Sequence, residues 1–131
     1  MSGRAVYLDS SAFVKLVVPE AETAALNAYL RRWSLAVSAG LLRTEALLAA
    51  TRASPATVLA VRRALRDVAF IELGRDLLDQ AGTLTPALRS LDAVHVAAAL
   101  SLGDDLDELV TYDARMAAAA TAAGLLVASP T

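Results

Sequence analysis

Short, mostly apolar segments alternate along this chain with longer segments whose apolar residues recur at helical spacing. The strand candidates are residues 5–8, 35–38, 68–73, 108–111 and 125–127. Strands that are apolar throughout and separated by helices are typical of a parallel sheet with both faces covered. The sequence therefore predicts the α/β class, as a three-layer α/β/α arrangement around a short parallel central sheet.

Helix start and stop signals divide the segments between these strands. The predicted helices span residues 12–17, 21–32, 41–51, 76–84, 90–102 and 114–123, with one more beginning at Pro55. Pro55 suits a first helical turn because its missing N–H has no partner there. Ser90 is a predicted N-cap, and Gly124 is predicted to close the last helix from the C′ position.

Length and composition favour one domain, residues 1–131, without membrane association. The chain has no cysteine, which excludes a disulfide framework and a thiolate zinc site. Its most apolar run, Met116–Ala128, falls short of the roughly 20 residues that a membrane helix needs. We therefore expect a cytoplasmic protein.

Charge is distributed unevenly. Between Ala28 and Arg66 there are seven arginines and one acid, whereas between Asp67 and Asp113 there are ten acids and two arginines. A basic stretch can bind a phosphate backbone, and grouped acids can bind metal. The candidates for contacts with nucleic acid are Arg43, Arg52, Arg62, Arg63 and Arg66.

Four carboxylates lie where an α/β fold builds its sites. Asp9 and Asp113 follow predicted strands, Asp92 lies in a first helical turn, and Glu45 is the single acid of the basic stretch. Each alone can be explained as a helix cap or an ion-pair partner. Carboxylates grouped in apolar surroundings raise each other's pKa unless a cation neutralises them. Oxygen-only ligands suit Mg²⁺ or Mn²⁺.

Four segments resemble the motifs of VapC-type PIN domains in order and spacing. They are residues 7–16 (YLDSSAFVKL), 43–45 (RTE), 89–99 (RSLDAVHVAAA) and 111–116 (TYDARM), the last followed by Gly124-Leu125. The resemblance covers nearly the whole chain. It implies a PIN fold and an endoribonuclease that acts as the toxin of a type II toxin–antitoxin pair. It also implies a homodimer neutralised by a small VapB-like antitoxin.

The resemblance implies a role for each acid. Asp9, Glu45, Asp92 and Asp113 form the catalytic set around Mg²⁺ or Mn²⁺. Asp9, Asp92 and Asp113 are the expected metal ligands, whereas Glu45 ligates through water or orients the nucleophile. A carboxylate-held metal acidifies a water for in-line attack on the phosphodiester. The hydroxyls expected to fix the carboxylates are those of Ser11 and Thr111.

Two expectations concern the surroundings of this set. His95 follows Asp92 by three residues and is either a general base or a helix residue with a hydrogen-bond partner, and we favour the second. The arginines expected to flank the acidic pocket and hold the RNA backbone are Arg52, Arg62, Arg63 and Arg66, because metal-free carboxylates repel RNA.

Other functions are less compatible with the sequence. A phosphatase of the haloacid-dehalogenase type needs a second Asp two residues after Asp9, where this chain has Ser11. A phosphate-receiver domain needs a late lysine, but Lys15 is the only one. A non-catalytic PIN-like dimerisation module that binds an antitoxin is the remaining alternative. Metal-dependent RNA cleavage that is lost on Asp9→Asn would distinguish the enzyme from this module.

Overall fold

The computed structural model describes residues 5–131, so the first four residues of the predicted domain 1–131 lie outside the described residues. Five parallel strands form one sheet in the order β3-β2-β1-β4-β5. The strands are β1 (Ala5–Leu8), β2 (Leu35–Ala39), β3 (Val68–Ile71), β4 (Leu106–Val110) and β5 (Val127–Ala128). The predicted parallel sheet is confirmed, although β3 ends earlier and β4 begins earlier than expected.

Seven α-helices in the described residues connect and cover the strands. Their bounds are α1 (Ser10–Val17), α2 (Thr23–Leu30), α3 (Leu41–Ala53), α4 (Pro55–Leu65), α5 (Arg75–Gly82), α6 (Ser90–Ser101) and α7 (Ala114–Ala122). Helices α1 to α4 pack against one face of the sheet, and α5 to α7 pack against the other. This is the expected three-layer α/β/α arrangement. No helix within residues 5–131 is long and apolar enough to cross a bilayer.

Both faces of the central strands are buried near the carboxyl ends, which explains why β1 is apolar throughout and why β4 ends in the apolar pair Leu109 and Val110. Tyr7 and Leu109 point to the layer that contains α6 and α7, whereas Val6, Leu8 and Val110 point to the layer of α1 and α2. This alternation follows from the two-residue period of a strand.

Some local signals act as predicted and others do not. The Ser54 hydroxyl caps α4 by accepting the Thr57 N–H, and Gly124 has the positive φ of +97° that ends α7. The prediction that Ser90 caps α6 is wrong, since Arg89 lies at the N-cap position and makes no capping hydrogen bond through its side chain. The apolar residues of α3 predict Leu41, Leu42, Leu48 and Ala49 on its inner side, but Leu48 is 50% exposed. Helix α3 instead buries the i, i+4 stripe of Leu42, Ala46 and Ala50.

Candidate active site

The chain reverses its direction of winding at β1, which has β2 on one side and β4 on the other. Ligand sites of parallel α/β sheets lie at such a switch point, beyond the carboxyl ends of the strands. Asp9 directly follows β1, and Asp113 follows β4 by three residues. Topology thus places both acids at one edge of the sheet, which we call the carboxyl edge.

Asp9 is 1% exposed and held by hydrogen bonds from two elements. Its Oδ1 accepts the Ser11 hydroxyl at 2.7 Å and the Ala12 N–H at 2.9 Å, and its Oδ2 accepts the Thr111 hydroxyl. Burial raises the pKa of the Asp9 carboxyl, and the bonds from Thr111, Ser11 and Ala12 partly oppose that rise. Asp9 therefore caps α1 and is also the buried anchor of the site, with the two expected hydroxyls in contact.

Asp92 and Asp113 lie beside each other in a cleft of about 230 Å³ that Arg89 and Arg115 also line. Burial raises the pKa of Asp92 first, and repulsion from Asp113 and more weakly from Asp9 raises it further. Asp113 also caps α7, because its Oδ1 accepts the N–H groups of Arg115 and Met116 at 2.8 and 3.1 Å. The fold thus brings three of the four predicted acids within electrostatic reach of one another.

Glu45 reaches the same region from α3. Its Oε1 is 2.8 Å from Nε2 of His95, and its Oε2 accepts the Ser10 hydroxyl at 3.5 Å. His95 is fully buried, and its Nδ1 is 2.7 Å from the Tyr7 hydroxyl. The preference for a partnered His95 over a general base agrees with this burial, because a substrate has no access to the ring.

The acids match a hard divalent cation in donor type and charge. Their mutual repulsion around Asp92 is the kind that a cation relieves. In residues 5–131, however, no group of three or more His, Asp or Glu side chains is arranged to hold a metal ion. Both oxygens of Asp9 already accept hydrogen bonds. The ligand set of Asp9, Asp92 and Asp113 therefore stays a prediction.

The predicted basic residues are spread over the molecule. Arg43 lies in the first turn of α3, near the carboxyl edge, with its guanidinium 5.2 Å from the Phe70 ring. Arg52 lies in the last turn of the same helix. The end of α4, which carries Arg62, Arg63 and Arg66, leads directly into the amino end of β3.

Arg52, Arg62, Arg63 and Arg66 do not line the cleft of Asp92 and Asp113. Strand β3 spans roughly 13 Å between the end of α4 and the carboxyl edge, at about 3.3 Å per residue. That these four arginines flank the acidic pocket therefore stays a prediction. The arginines that do line the pocket, Arg89 and Arg115, were missed. Their signal was proximity in sequence, since they lie three residues before Asp92 and two residues after Asp113.

Comparisons with known proteins agree on one family. The PIN-domain profile matches residues 6–122. Ribonuclease VapC46 of Mycobacterium tuberculosis is 46% identical over 96% of this chain and 98% of its own length. Ribonuclease VapC47 of the same organism is 34% identical over 95% of this chain and 96% of its own length.

Solved structures share the fold at low identity. The crystal structure of M. tuberculosis VapC20, a sarcin–ricin loop cleaving toxin, has a TM-score of 0.73 at 18% identity, covering 95% of this chain and 99% of that one. A toxin–antitoxin complex from Klebsiella pneumoniae gives 0.71 at 20% identity, covering 96% and 98%. Profile, relatives and fold agree, and the chain therefore belongs to the PIN-domain family and, within it, to the VapC ribonucleases of toxin–antitoxin systems.

Proposed function

We propose that this VapC ribonuclease hydrolyses RNA with Mg²⁺ or Mn²⁺, using Asp9, Glu45, Asp92 and Asp113. One observation carries the proposal: Asp92 and Asp113, from two separate segments, line one cleft at the carboxyl edge, where burial and then repulsion from Asp113 raise the pKa of Asp92. A folded protein that keeps such repulsion without a cation loses stability for no structural gain. Membership of a nuclease family supports the same reading.

The positions of these residues give each of them a different role in the proposal. Asp92 and Asp113 line the cleft and would hold the cation, and the buried Asp9 would be the third ligand. Ser11, Thr111 and the Ala12 N–H keep Asp9 fixed in orientation. When bound, the divalent ion supplies an acidified water and positive charge against the phosphate. Glu45, whose Oε1 is bonded to His95 and whose Oε2 accepts the Ser10 hydroxyl at 3.5 Å, would orient the water.

RNA binding needs cations near this cleft, because the carboxylates repel phosphate. Arg89 and Arg115 line the cleft itself, and Arg43 is near the same edge of the sheet. The planar guanidinium donates two hydrogen bonds to one phosphate. Arg52, Arg62, Arg63 and Arg66 remain candidates only for RNA that extends well beyond the scissile bond.

A small VapB-like antitoxin is the proposed partner, and a homodimer the proposed assembly. Val18 is 41% exposed at the end of α1, and it lines an apolar cleft with Val14 and Val17. Such a surface offers contact area to another chain. Tyr29, a further apolar residue that the sequence offers either for such contacts or for the core, is buried, with its hydroxyl bonded to Glu108. Light scattering of the isolated chain tests the dimer, and co-purification with the antitoxin tests the partner.

Cleavage of a labelled RNA pool with Mg²⁺, Mn²⁺ or EDTA tests the proposed activity. We expect cleavage with either metal, none after chelation, and none in Asp92→Asn. Asp79→Asn, which changes an exposed acid on α5, is the matched control and should cleave normally. Undiminished cleavage after thorough chelation would overturn the metal proposal. Antitoxin binding without cleavage under any condition would support the non-catalytic module instead.

A further inference from the structure

A buried chain of hydrogen bonds connects the sheet to Glu45. The Ala39 N–H, at the end of β2, donates to the Tyr7 hydroxyl at 3.0 Å. That hydroxyl lies 2.7 Å from Nδ1 of His95, and Nε2 of His95 lies 2.8 Å from Oε1 of Glu45. This series of hydrogen bonds thus connects β2, β1, α6 and α3 and ends at Glu45.

The direction of the last bond follows from the chemistry of the groups. An ionised carboxylate only accepts hydrogen bonds, so Nε2 of His95 carries the proton that it shares with Glu45. With Nε2 protonated, Nδ1 of a neutral ring is an acceptor and takes the Tyr7 O–H. Tyr7 Oη can donate there and still accept the Ala39 N–H. Every polar atom of the His95 ring is then satisfied without water.

Packing leaves the imidazole little freedom. His95 is fully buried, and its ring meets the Tyr7 ring edge-on, with centroids 5.7 Å apart. The Glu45 side chain, by contrast, is 19% exposed. Burial keeps the imidazole from touching RNA, and the bond to Glu45 is its connection to the acidic site.

We propose that His95 is a positioning residue that fixes the Glu45 carboxylate through Nε2–H, while Tyr7 fixes His95. The inference rests on the proposed function, because it takes Glu45 to act in cleavage. A long glutamate at the protein surface samples several rotamers, and ordering them costs entropy. The buried donor at Oε1, together with the weaker bond from the Ser10 hydroxyl at Oε2, selects one rotamer of Glu45.

Two substitutions at position 95 distinguish the roles of the two ring nitrogens. The side-chain amide of Gln reaches the place of Nε2 and can still donate to Glu45, whereas that of the shorter Asn reaches the place of Nδ1. We expect His95→Asn to lower kcat by about 10- to 100-fold with little change in KM, the usual effect of losing a partner of a catalytic ligand. His95→Gln should recover most of that loss. Equal losses in both variants would contradict the inference.

A double-mutant cycle tests whether His95 acts through Glu45. If it does, His95→Asn has no further effect on kcat in a Glu45→Gln background. A purely structural role predicts the same fold loss in both backgrounds, together with a lower melting temperature, and would overturn the inference. Melting curves of each variant show whether the fold is kept.

A readout without catalysis distinguishes this inference from the proposed function. In ¹⁵N NMR of the metal-free wild type, His95 should show a protonated Nε2, and Glu45→Gln should shift that resonance. Tyr7→Phe should shift Nδ1 instead. If this pattern is seen but no RNA is cleaved, the proposed function is contradicted and the His95–Glu45 hydrogen bond is supported. Cleavage without this pattern would remove the positioning role alone.

Discussion

At the scale of single residues, Thr111 joins the ends of β1 and β4. Its hydroxyl donates to Oδ2 of Asp9 and accepts the N–H of Asp113 at 3.0 Å. The residue is fully buried. One hydroxyl therefore orients the deepest carboxylate and the loop that carries another.

Thr111→Val keeps the shape of this side chain and removes both hydrogen bonds. We expect cleavage activity to fall by about 10- to 100-fold, as for other partners of a catalytic ligand. Some stability should be lost too, because Asp9 stays buried with one donor fewer. Initial-rate measurements on a labelled RNA give the first effect and thermal melts the second. Thr111→Ser, which keeps the hydroxyl, should retain most activity, and a Ser variant as impaired as Val would contradict this role.

Because neighbouring carboxylates repel Asp92, replacing it with a neutral side chain should stabilise the protein, by an amount that depends on pH. Burial and the neighbouring carboxylates raise the pKa of Asp92 in the folded state. Its protonated form therefore favours folding, and this contribution is lost as the pH rises above the ordinary Asp value of about 3.9 through the raised folded value. Metal-free Asp92→Asn should melt at a higher temperature than the wild type at neutral pH.

The gain should disappear near pH 3, where both side chains are neutral. Melts in EDTA across this pH range measure the difference, with Asp79→Asn as the control at an exposed acidic position. A lower melting temperature for Asp92→Asn at neutral pH would show that Asp92 is not repelled by its neighbours.

At the scale of elements, helix α6 lies close to the sheet because it presents small side chains. Ala97, Ala98 and Ala99 are completely buried, and Ala98 packs with Tyr7 and Leu109 of the strands. The same helix carries Asp92 in its first turn and His95 one turn later. Its distance from the sheet therefore sets where both side chains lie.

Ala98→Leu should destabilise the protein by about 1–3 kcal/mol, because a packed core has no space for the added atoms. Displacement of α6 should also weaken activity through Asp92 and His95. Denaturant melts together with cleavage rates test both effects. The same substitution at the exposed Ala118 of α7 is the control and should change stability little. A fully stable Ala98→Leu variant would show that α6 packs loosely enough against the sheet to accept a larger side chain.

At the scale of the whole molecule, the arginines proposed to bind RNA are divided between the two edges of the sheet. Arg89 and Arg115 line the cleft of Asp92 and Asp113 at the carboxyl edge, whereas the α4 arginines lead into the amino end of β3. We therefore expect RNA held at the cleft to contact Arg89 and Arg115. The basic stretch that dominates the sequence lies mostly elsewhere.

The Arg89→Ala, Arg115→Ala double variant should bind RNA more weakly than the wild type, with a flatter salt dependence. Removing one arginine–phosphate bond lowers the slope of log K against log salt by about 0.7 for a single strand. Titrations with Mg²⁺ in an Asp92→Asn background avoid cleavage during the measurement. Arg62→Ala, Arg66→Ala is the matched control and should change the slope less. The opposite ranking would show that the RNA runs along α4.

The sequence alone determined the class of fold, the positions of most elements and the resemblance to the PIN-domain family. These properties are local: apolar strands, helix caps and motif spacing are all visible in neighbouring residues. It also identified Ser11 and Thr111 as hydroxyls that contact the carboxylates, because each lies within two residues of an acid. The arrangement of the core was less predictable, as Leu48 shows, because several faces of an apolar helix look alike in sequence.

Only the tertiary structure decided which charges share a surface and which groups share a proton. Arg66 and Glu45 belong to one stretch of sequence, yet the parallel connection from β2 to β3 separates their edges. Tyr7, His95 and Glu45 are far apart in sequence, and the packing of α3 and α6 around β1 brings them into contact. Long-range hydrogen bonds depend on how elements pack, and no local pattern encodes that packing.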